Sequence, residues 1–327
     1  ENDGATCWVC AEGPGRTRQR NLVRGCACRG PTAGFAHRDC LAEAATHDDD
    51  RWDTCPVCRQ DYTGSVRLWL ARKRWDRVKR RTWRRRRGGD GYDNAELSER
   101  LCAADRLATA MVDCEGDVEG ALPLFEEVLE ISRRVDGDDD PSTLVSIHNL
   151  ATIYQKLGDH DRSFALLEEA RLAQERTLGR DAPDTLRTLS NIANLHSMES
   201  KFDISLPIAE EVLFVRRRTL GDRHVDTLES IYNLGLIRWH MSHGKFVSFR
   251  AVADHNAGDC NAEQMETAAS LLKESTDGYS RVLGKEHHLT QKSVYGQTQA
   301  EDRLEEIKRL KDAEIESGTH RLKRRRC

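Results

Sequence analysis

Eight soft side chains fall in four close pairs near the start of the chain: Cys7-x2-Cys10, Cys26-x-Cys28, His37-x2-Cys40 and Cys55-x2-Cys58. Seven of the chain's eleven cysteines lie here, and His37 makes the eighth donor. The chemistry such residues offer is coordination of a soft metal. Two tetrahedral zinc ions need eight Cys or His donors, and close pairs supply them because both members of a pair can face one ion. Disulfides in a small secreted domain are the competing reading of close Cys pairs. A His standing at a pair position fits zinc and has no place in a disulfide frame. The segment also has few large apolar residues, so metal binding would supply much of its folding free energy.

The order C-C-C-C-H-C-C-C resembles two zinc families, the RING-CH (RING-variant) domain of ubiquitin ligases and the PHD finger, a reader of histone tails. Spacing separates them. Ala27 alone stands between Cys26 and Cys28, and eight residues precede His37, as in RING-CH domains. PHD fingers tend to carry an aromatic two residues before the seventh ligand, where this chain has Asp53. The resemblance to RING-CH covers residues 7–63. It implies a cross-brace: Cys7, Cys10, His37 and Cys40 on one Zn2+, and Cys26, Cys28, Cys55 and Cys58 on a second. It also implies docking of a ubiquitin-charged conjugating (E2) enzyme, with positioning and not covalent catalysis as the gain. Val9, Pro56 and Arg59 match the family's docking loops, and an Arg suits a bridging role through its fork of donors. RING-CH domains often place a Trp four residues after the sixth ligand; here that residue is Ala44. Trp52 either fills the docking groove in its stead or belongs to the core.

Other elements must hold this site and give it a client. Residues 67–87 carry 12 Lys/Arg and one acid, Asp76, with Leu68, Trp69, Trp75, Val78 and Trp83 as a loose apolar stripe. This reads as a basic helix. It packs its Trp residues on a neighbouring domain, or serves as a nuclear-localisation or nucleic-acid patch, or lies on a membrane surface. Gly88-Gly89-Asp90-Gly91 reads as a flexible linker.

From about residue 97 the chain repeats. Thr143-Leu144, Thr185-Leu186 and Thr227-Leu228 recur at a step of 42 residues, as do Asn149, Asn191 and Asn233. A fixed period signals a solenoid. Apolar spacing within a copy gives a helical hairpin that buries its stripe only by stacking. The phrase Asp-Thr-Leu, Asn-Leu-Ala, Gly, Glu-Glu-Ala, Leu-Gly resembles the tetratricopeptide repeats (TPR) of kinesin light chains. Helix pairs are predicted over 97–136, 142–178, 184–220 and 226–283, with a surface-loop insert near 244–262. That resemblance implies a concave groove lined by the first helix of each unit. The recurring Asn amides, which donate and accept, either grip a peptide client there or tie one repeat to the next.

The expected fold is thus a small zinc-stabilised cross-brace followed by an all-α TPR solenoid. The domains are residues 1–63, the zinc finger; 64–93, the basic helix and linker; 94–298, the solenoid; and 299–327, a capping helix and basic tail. The net charge of −4 conceals +7 over residues 1–93 and −11 over the rest. No apolar run approaches the roughly 18–20 residues of a membrane span. Scattered Cys102, Cys114, Cys260 and Cys327 read as free thiols of a reducing compartment, the cytoplasm or the nucleus. The chain begins at Glu1 without Met, as a fragment or processed form would. No phosphate-binding Gly loop or nucleophile motif points to a kinase, dehydrogenase or hydrolase. The expected function is a RING-type ubiquitin-protein ligase that recruits clients through its repeats. The alternatives are a non-enzymatic zinc-finger/TPR adaptor and a PHD-type histone reader.

Overall fold

The structure, a computed structural model, describes residues 6–11, 22–26, 28, 34–86, 93–242 and 262–324. The expected linker at 88–91 and nearly all of the insert at 244–262 lie outside the described residues, as do the side chains of Trp83 and of the basic tail. The chain divides into two compact units, Glu1–Leu166 and Leu167–Cys327.

In the first unit, strands β1 (Leu22–Val23) and β2 (Ala36–His37) pair antiparallel with Leu22 opposite His37. Helix α1 (Arg38–Ala45) follows β2 directly, and a 3-10 turn spans Asp49–Trp52. Asp48 caps that turn by accepting the Asp50 N–H, as a short acidic side chain does at a helix start. Leu22, Ala36, Leu41, Ala45, Trp52 and Tyr62 form a small core, closed from outside by Val66 and Leu70 of helix α2 (Gly64–Arg86).

Helix α2 has two apolar faces. At about 100° per residue, Val66 and Leu70 lie some 40° apart, and Leu68, Ala71, Trp75 and Val78 lie roughly opposite. The second face packs with Ala103, Ala104, Leu107 and Ala110 of α3 (Asn94–Glu115) and Val128 of α4 (Val118–Val135). Much of the helix's positive charge is met by acids: Arg67 by Asp113 at 2.9 Å, Arg72 by Glu115 at 2.6 Å and Arg81 by Glu99 at 3.1 Å. Of the three readings of this segment, packing of its Trp stripe on a neighbour is the one its contacts follow. Gly25 explains the close fit: a Cβ there would lie 2.4 Å from Val66 Cβ, and its carbonyl accepts the Thr63 N–H at 2.6 Å. Helix α5 (Pro141–Leu157) and the start of α6 (His160–Thr177) complete this unit.

The second unit holds α7 (Pro183–Met198), α8 (Phe202–Leu220), α9 (Val225–Ser242), α10 (Ala262–Val282) and α11 (His288–Arg324). Helices α7, α8 and α9 pack in succession, and α10 packs on α9 and α11. Apolar cores form around Leu213, Leu228, Ile231 and Ile237, and around Trp239, Met265 and Leu272. The helix pairs match the expected ones to within a few residues.

Each repeat junction also carries a buried polar tie from the end of a second helix to the start of the next first helix. Ser132 meets Ser146 at 3.0 Å, Thr188 donates to Gln174 at 2.6 Å, and Arg216 donates to Ser230 at 2.8 Å. Both partners advance by 42 residues at each step. Two threonines close the loop before their helix: Thr185, in a Thr-Leu phrase, and Thr290 donate to the carbonyls of Gly179 and Gly284, each at 2.8 Å. Those glycines carry φ of +90° and +85°, the left-handed conformation that ends a helix.

The last element differs from expectation. Helix α11 runs unbroken for 37 residues from His288, so the capping helix expected within 299–327 is the later part of a longer helix. Gly296 lies within this helix, and the Tyr232 ring packs on it, with Cε2 3.2 Å from where a Cβ would stand.

Candidate metal centre

The four pairs come together as two groups of four: Cys7, Cys10, His37 and Cys40, and Cys26, Cys28, Cys55 and Cys58. Within each group the ligand atoms all lie within 4.8 Å of one another. The first pair thus joins the third and the second joins the fourth, as a cross-brace requires. The elements explain the placement. Strand β2 ends on His37, whose ring enters the first group, and Cys40 follows in the first turn of α1. Cys26 and Cys28 follow β1.

Cys7–Cys10 and Cys55–Cys58 sit in matching tight loops. Ala11 N–H donates to the Cys7 carbonyl at 2.8 Å, and Arg59 N–H donates to the Cys55 carbonyl at 2.7 Å. Both donors have left-handed backbone, φ 61° for Ala11 and 55° for Arg59, a conformation that costs a non-Gly residue.

Cys28 Sγ and Cys55 Sγ are 3.7 Å apart, and His37 Nδ1 lies 3.4 Å from Cys10 Sγ and 3.8 Å from Cys40 Sγ. A tetrahedron with Zn–S near 2.3 Å puts its sulfurs about 3.7–3.8 Å apart, whereas a disulfide needs about 2.05 Å. The spacing therefore fits a zinc-sized ion in each group and opposes the disulfide reading. Electrostatics agree. Burial pushes the Cys40 thiol up to about 12 and raises Cys28 as well. At Cys7 burial acts the same way, but the N–H groups of Cys10, His37 and Val9 outweigh it and bring the thiol down to about 7. Burial makes Cys28 and Cys40, one in each group, hard to ionise, and a dication beside each would stabilise it as a thiolate.

Of the expected docking residues, Val9 is 39% exposed, Pro56 is half-buried and Arg59 is exposed. Trp52 is corrected: at 4% exposure it belongs to the core with Leu41 and Tyr62 and is not presented for docking. A Trp three residues before a ligand must pack inward here because the module has few other large side chains to fill its centre. Sequence reasoning passed over Val57, which is 56% exposed and holds the same place in the second loop that Val9 holds in the first. That loop equivalence was the available signal. It also passed over Gly34, pressed against Cys26 and Cys28. Asp53, where a PHD finger tends to have an aromatic, is tied up in ion pairs with Arg74 and Arg106.

Residues 7–58 match the RING-variant domain. Residues 99–171 and 144–213 match the tetratricopeptide repeat. The chain thus carries a RING-variant domain followed by TPR-like helical hairpins. Among solved structures, a kinesin-light-chain-type protein of Podosopora anserina with nearly identical TPR-like repeats is 21% identical, with a TM-score of 0.45, over 66% of this chain and 94% of its own. BtubC (BKLC) from P. vanneervenii is 16% identical, with a TM-score of 0.45, over 76% of this chain and 91% of its own. No curated protein matches the chain. Among the described residues, no helix is long and apolar enough to cross a membrane.

In the repeats, Asn149, Asn191 and Asn233 lie on α5, α7 and α9 and are half-buried. A cavity of about 690 Å3 opens between α4, α5 and α6, with Leu129, Leu150, Tyr154 and Arg162 in its walls; Asn149 is not among them.

Proposed function

We propose that the chain is a RING-type ubiquitin-protein ligase. Its RING-variant domain binds two zinc ions, one held by Cys7, Cys10, His37 and Cys40 and the other by Cys26, Cys28, Cys55 and Cys58. The ions would lock the loops that carry the docking residues. A ubiquitin-charged conjugating enzyme docks on the tips of the two matching loops, and the repeats hold a protein client. The observation that carries this reading is the exposure of Val9, Val57 and Arg59 on two loops whose first cysteines, Cys7 and Cys55, are buried. Two loops with the same backbone turn place an apolar side chain just before the second ligand, and one adds a cation just after it. Such a surface recruits by shape and apolar contact while Arg59 offers its donors to carbonyls or carboxylates of the complex. The gain is orientation of a ready-made thioester toward an amine.

The client site on this reading includes Asn149, Asn191 and Asn233. Their amides carry no side-chain hydrogen bond among the described residues, which favours a role toward a bound peptide over a tie between repeats. Five of the eight α2 cations with described side chains, Arg67, Arg72, Arg74, Lys79 and Arg81, pair with acids, and the proposal assigns no nucleic-acid partner.

The test is reconstituted transfer with a panel of conjugating enzymes. Wild type should form ubiquitin conjugates with at least one, and Val57→Asp or Arg59→Ala should cut the rate by about tenfold, the effect of roughly 1.4 kcal/mol lost from the productive complex. No transfer with any conjugating enzyme leaves the non-enzymatic adaptor as the reading.

A further inference from the structure

Helix α2 does more than join two modules, and one contact at its centre bears on the ligase reading. Arg74 lies between the two apolar faces of α2 and is 7% exposed. A guanidinium so removed from water is destabilising unless it is paired and hydrogen-bonded. Its partner is Asp53, to which Nη1 donates at 3.3 Å, with Asp49 further off at 3.8 Å. The same Asp53 oxygen faces Arg106 Nε of α3 at 3.6 Å. The Asp53 backbone carbonyl meanwhile accepts the Tyr62 N–H at 2.8 Å, across the base of the loop. Asp53 is two residues before Cys55 and hence at the root of the loop that bears Pro56, Val57 and Arg59. One carboxylate thus ties the docking loop to α2 and to the first helix of the repeats.

We propose that Asp53 is a positioning residue: through Arg74 and Arg106 it holds the second docking loop at one angle to α2 and α3, so that a docked conjugating enzyme keeps a fixed geometry to the first helices of the repeats. This rests on the ligase reading, but the clamp itself can be tested without ubiquitin. Apolar contacts along α2 fix its distance to each neighbour but resist sliding and rotation weakly, because they are non-directional. A carboxylate shared by two guanidinium groups from two helices supplies the direction.

The experiment uses the full chain with fluorescent non-natural residues at exposed Gln60 and Glu119, one beside the docking loop and one at the start of α4. Time-resolved energy transfer reads the distance distribution. Wild type should give one narrow distribution. Asp53→Asn should broaden it with zinc content unchanged, and Asp53→Glu should narrow it again. Arg106→Gln, a change at a half-exposed side chain, serves as the second variant should Asp53→Asn fail to retain zinc. In transfer assays the broadened variants should bind the conjugating enzyme as wild type does yet modify a repeat-bound client roughly tenfold or more slowly, the scale of loss from small misplacement. A broad wild-type distribution, or variants as narrow as wild type, overturns the proposal. A wild type that transfers no ubiquitin defeats the ligase reading, and the distances still decide whether Asp53 is a clamp.

Discussion

Among the described glycines, Gly34 alone combines a left-handed backbone with no room for a Cβ. Its φ is +75°, and an added Cβ would stand 2.6 Å from Cys28 Cβ, 2.9 Å from Cys28 Sγ and 3.1 Å from Cys26 Sγ. Gly34→Ala must accept left-handed strain of about 1 kcal/mol or more and also push a ligand sulfur out of its tetrahedron. The expected outcome is fewer than two zinc ions per chain by elemental analysis, with the deficit at the second group; two ions retained would show that the loop can give way. Arg59 separates strain from chemistry. At φ 55° both Arg59→Gly and Arg59→Ala remove the cation, but only Gly relaxes the backbone. Gly should melt higher than Ala by an amount worth about 1 kcal/mol, while both lose ubiquitin transfer alike. Equal melting would mean that the turn carries no strain; transfer kept by either would dismiss Arg59 from docking. The eight ligands were legible in the sequence because ligand pairs are local. Gly34 was not, because its demand arises from the bend that brings it back onto Cys28, and residue types in that stretch do not reveal the bend. Val57 is legible only when the two loops are aligned, where it stands just before Cys58 as Val9 stands just before Cys10.

At the scale of elements, the ties between helices make a graded prediction. Thr188 donates to Gln174 at 2.6 Å and has a second acceptor in the Asp184 carbonyl at 3.1 Å, and both side chains are buried. Thr188→Val strips Gln174 Oε1 of its donor in a dry site, which costs about 1–3 kcal/mol. Gln174→Leu leaves the Thr188 hydroxyl free to turn to Asp184, so it should cost clearly less. The double variant leaves no stranded acceptor and should be more stable than Thr188→Val alone. Urea denaturation of the three variants checks the order; Gln174→Leu as harmful as Thr188→Val would mean that the Gln packs and does not merely pair. The 42-residue period made the helices legible, since a hairpin that repeats must stack. The polar ties were hidden within the same period, because Ser132, Gln174 and Arg216 share a position but not a residue type. At Gly296 in α11, packing of Tyr232 offsets the usual helix cost of about 1 kcal/mol for Gly.

For the whole molecule, the sequence pointed to a zinc fold and a helical fold with separate cores, joined by a basic segment. The structure joins them through α2. Val66 and Leu70 belong to the core around Trp52 and Tyr62, and Leu68, Ala71, Trp75 and Val78 to the core with α3. The basic composition obscured this, because so many cations read as a solvated face until their acids on α3 are known. The coupling has a consequence for metal removal. Structural zinc contributes folding free energy directly, so a chelator or Cys55→Ser should dissolve the small core and leave Val66 and Leu70 against nothing. Amide hydrogen exchange should then rise sharply in α1 and in the first half of α2. It should rise less in α3, which keeps its contacts with α4 through Val128. Helices α9 and α10 rest on their own core of Trp239, Met265 and Leu272, and their protection should stay at the level of the metal-bound protein. If α2 keeps full protection after chelation, it belongs to the repeats alone and the shared core is energetically idle. If protection falls as far as α9 and α10, the two compact units unfold as one and the zinc sites govern the stability of the entire chain.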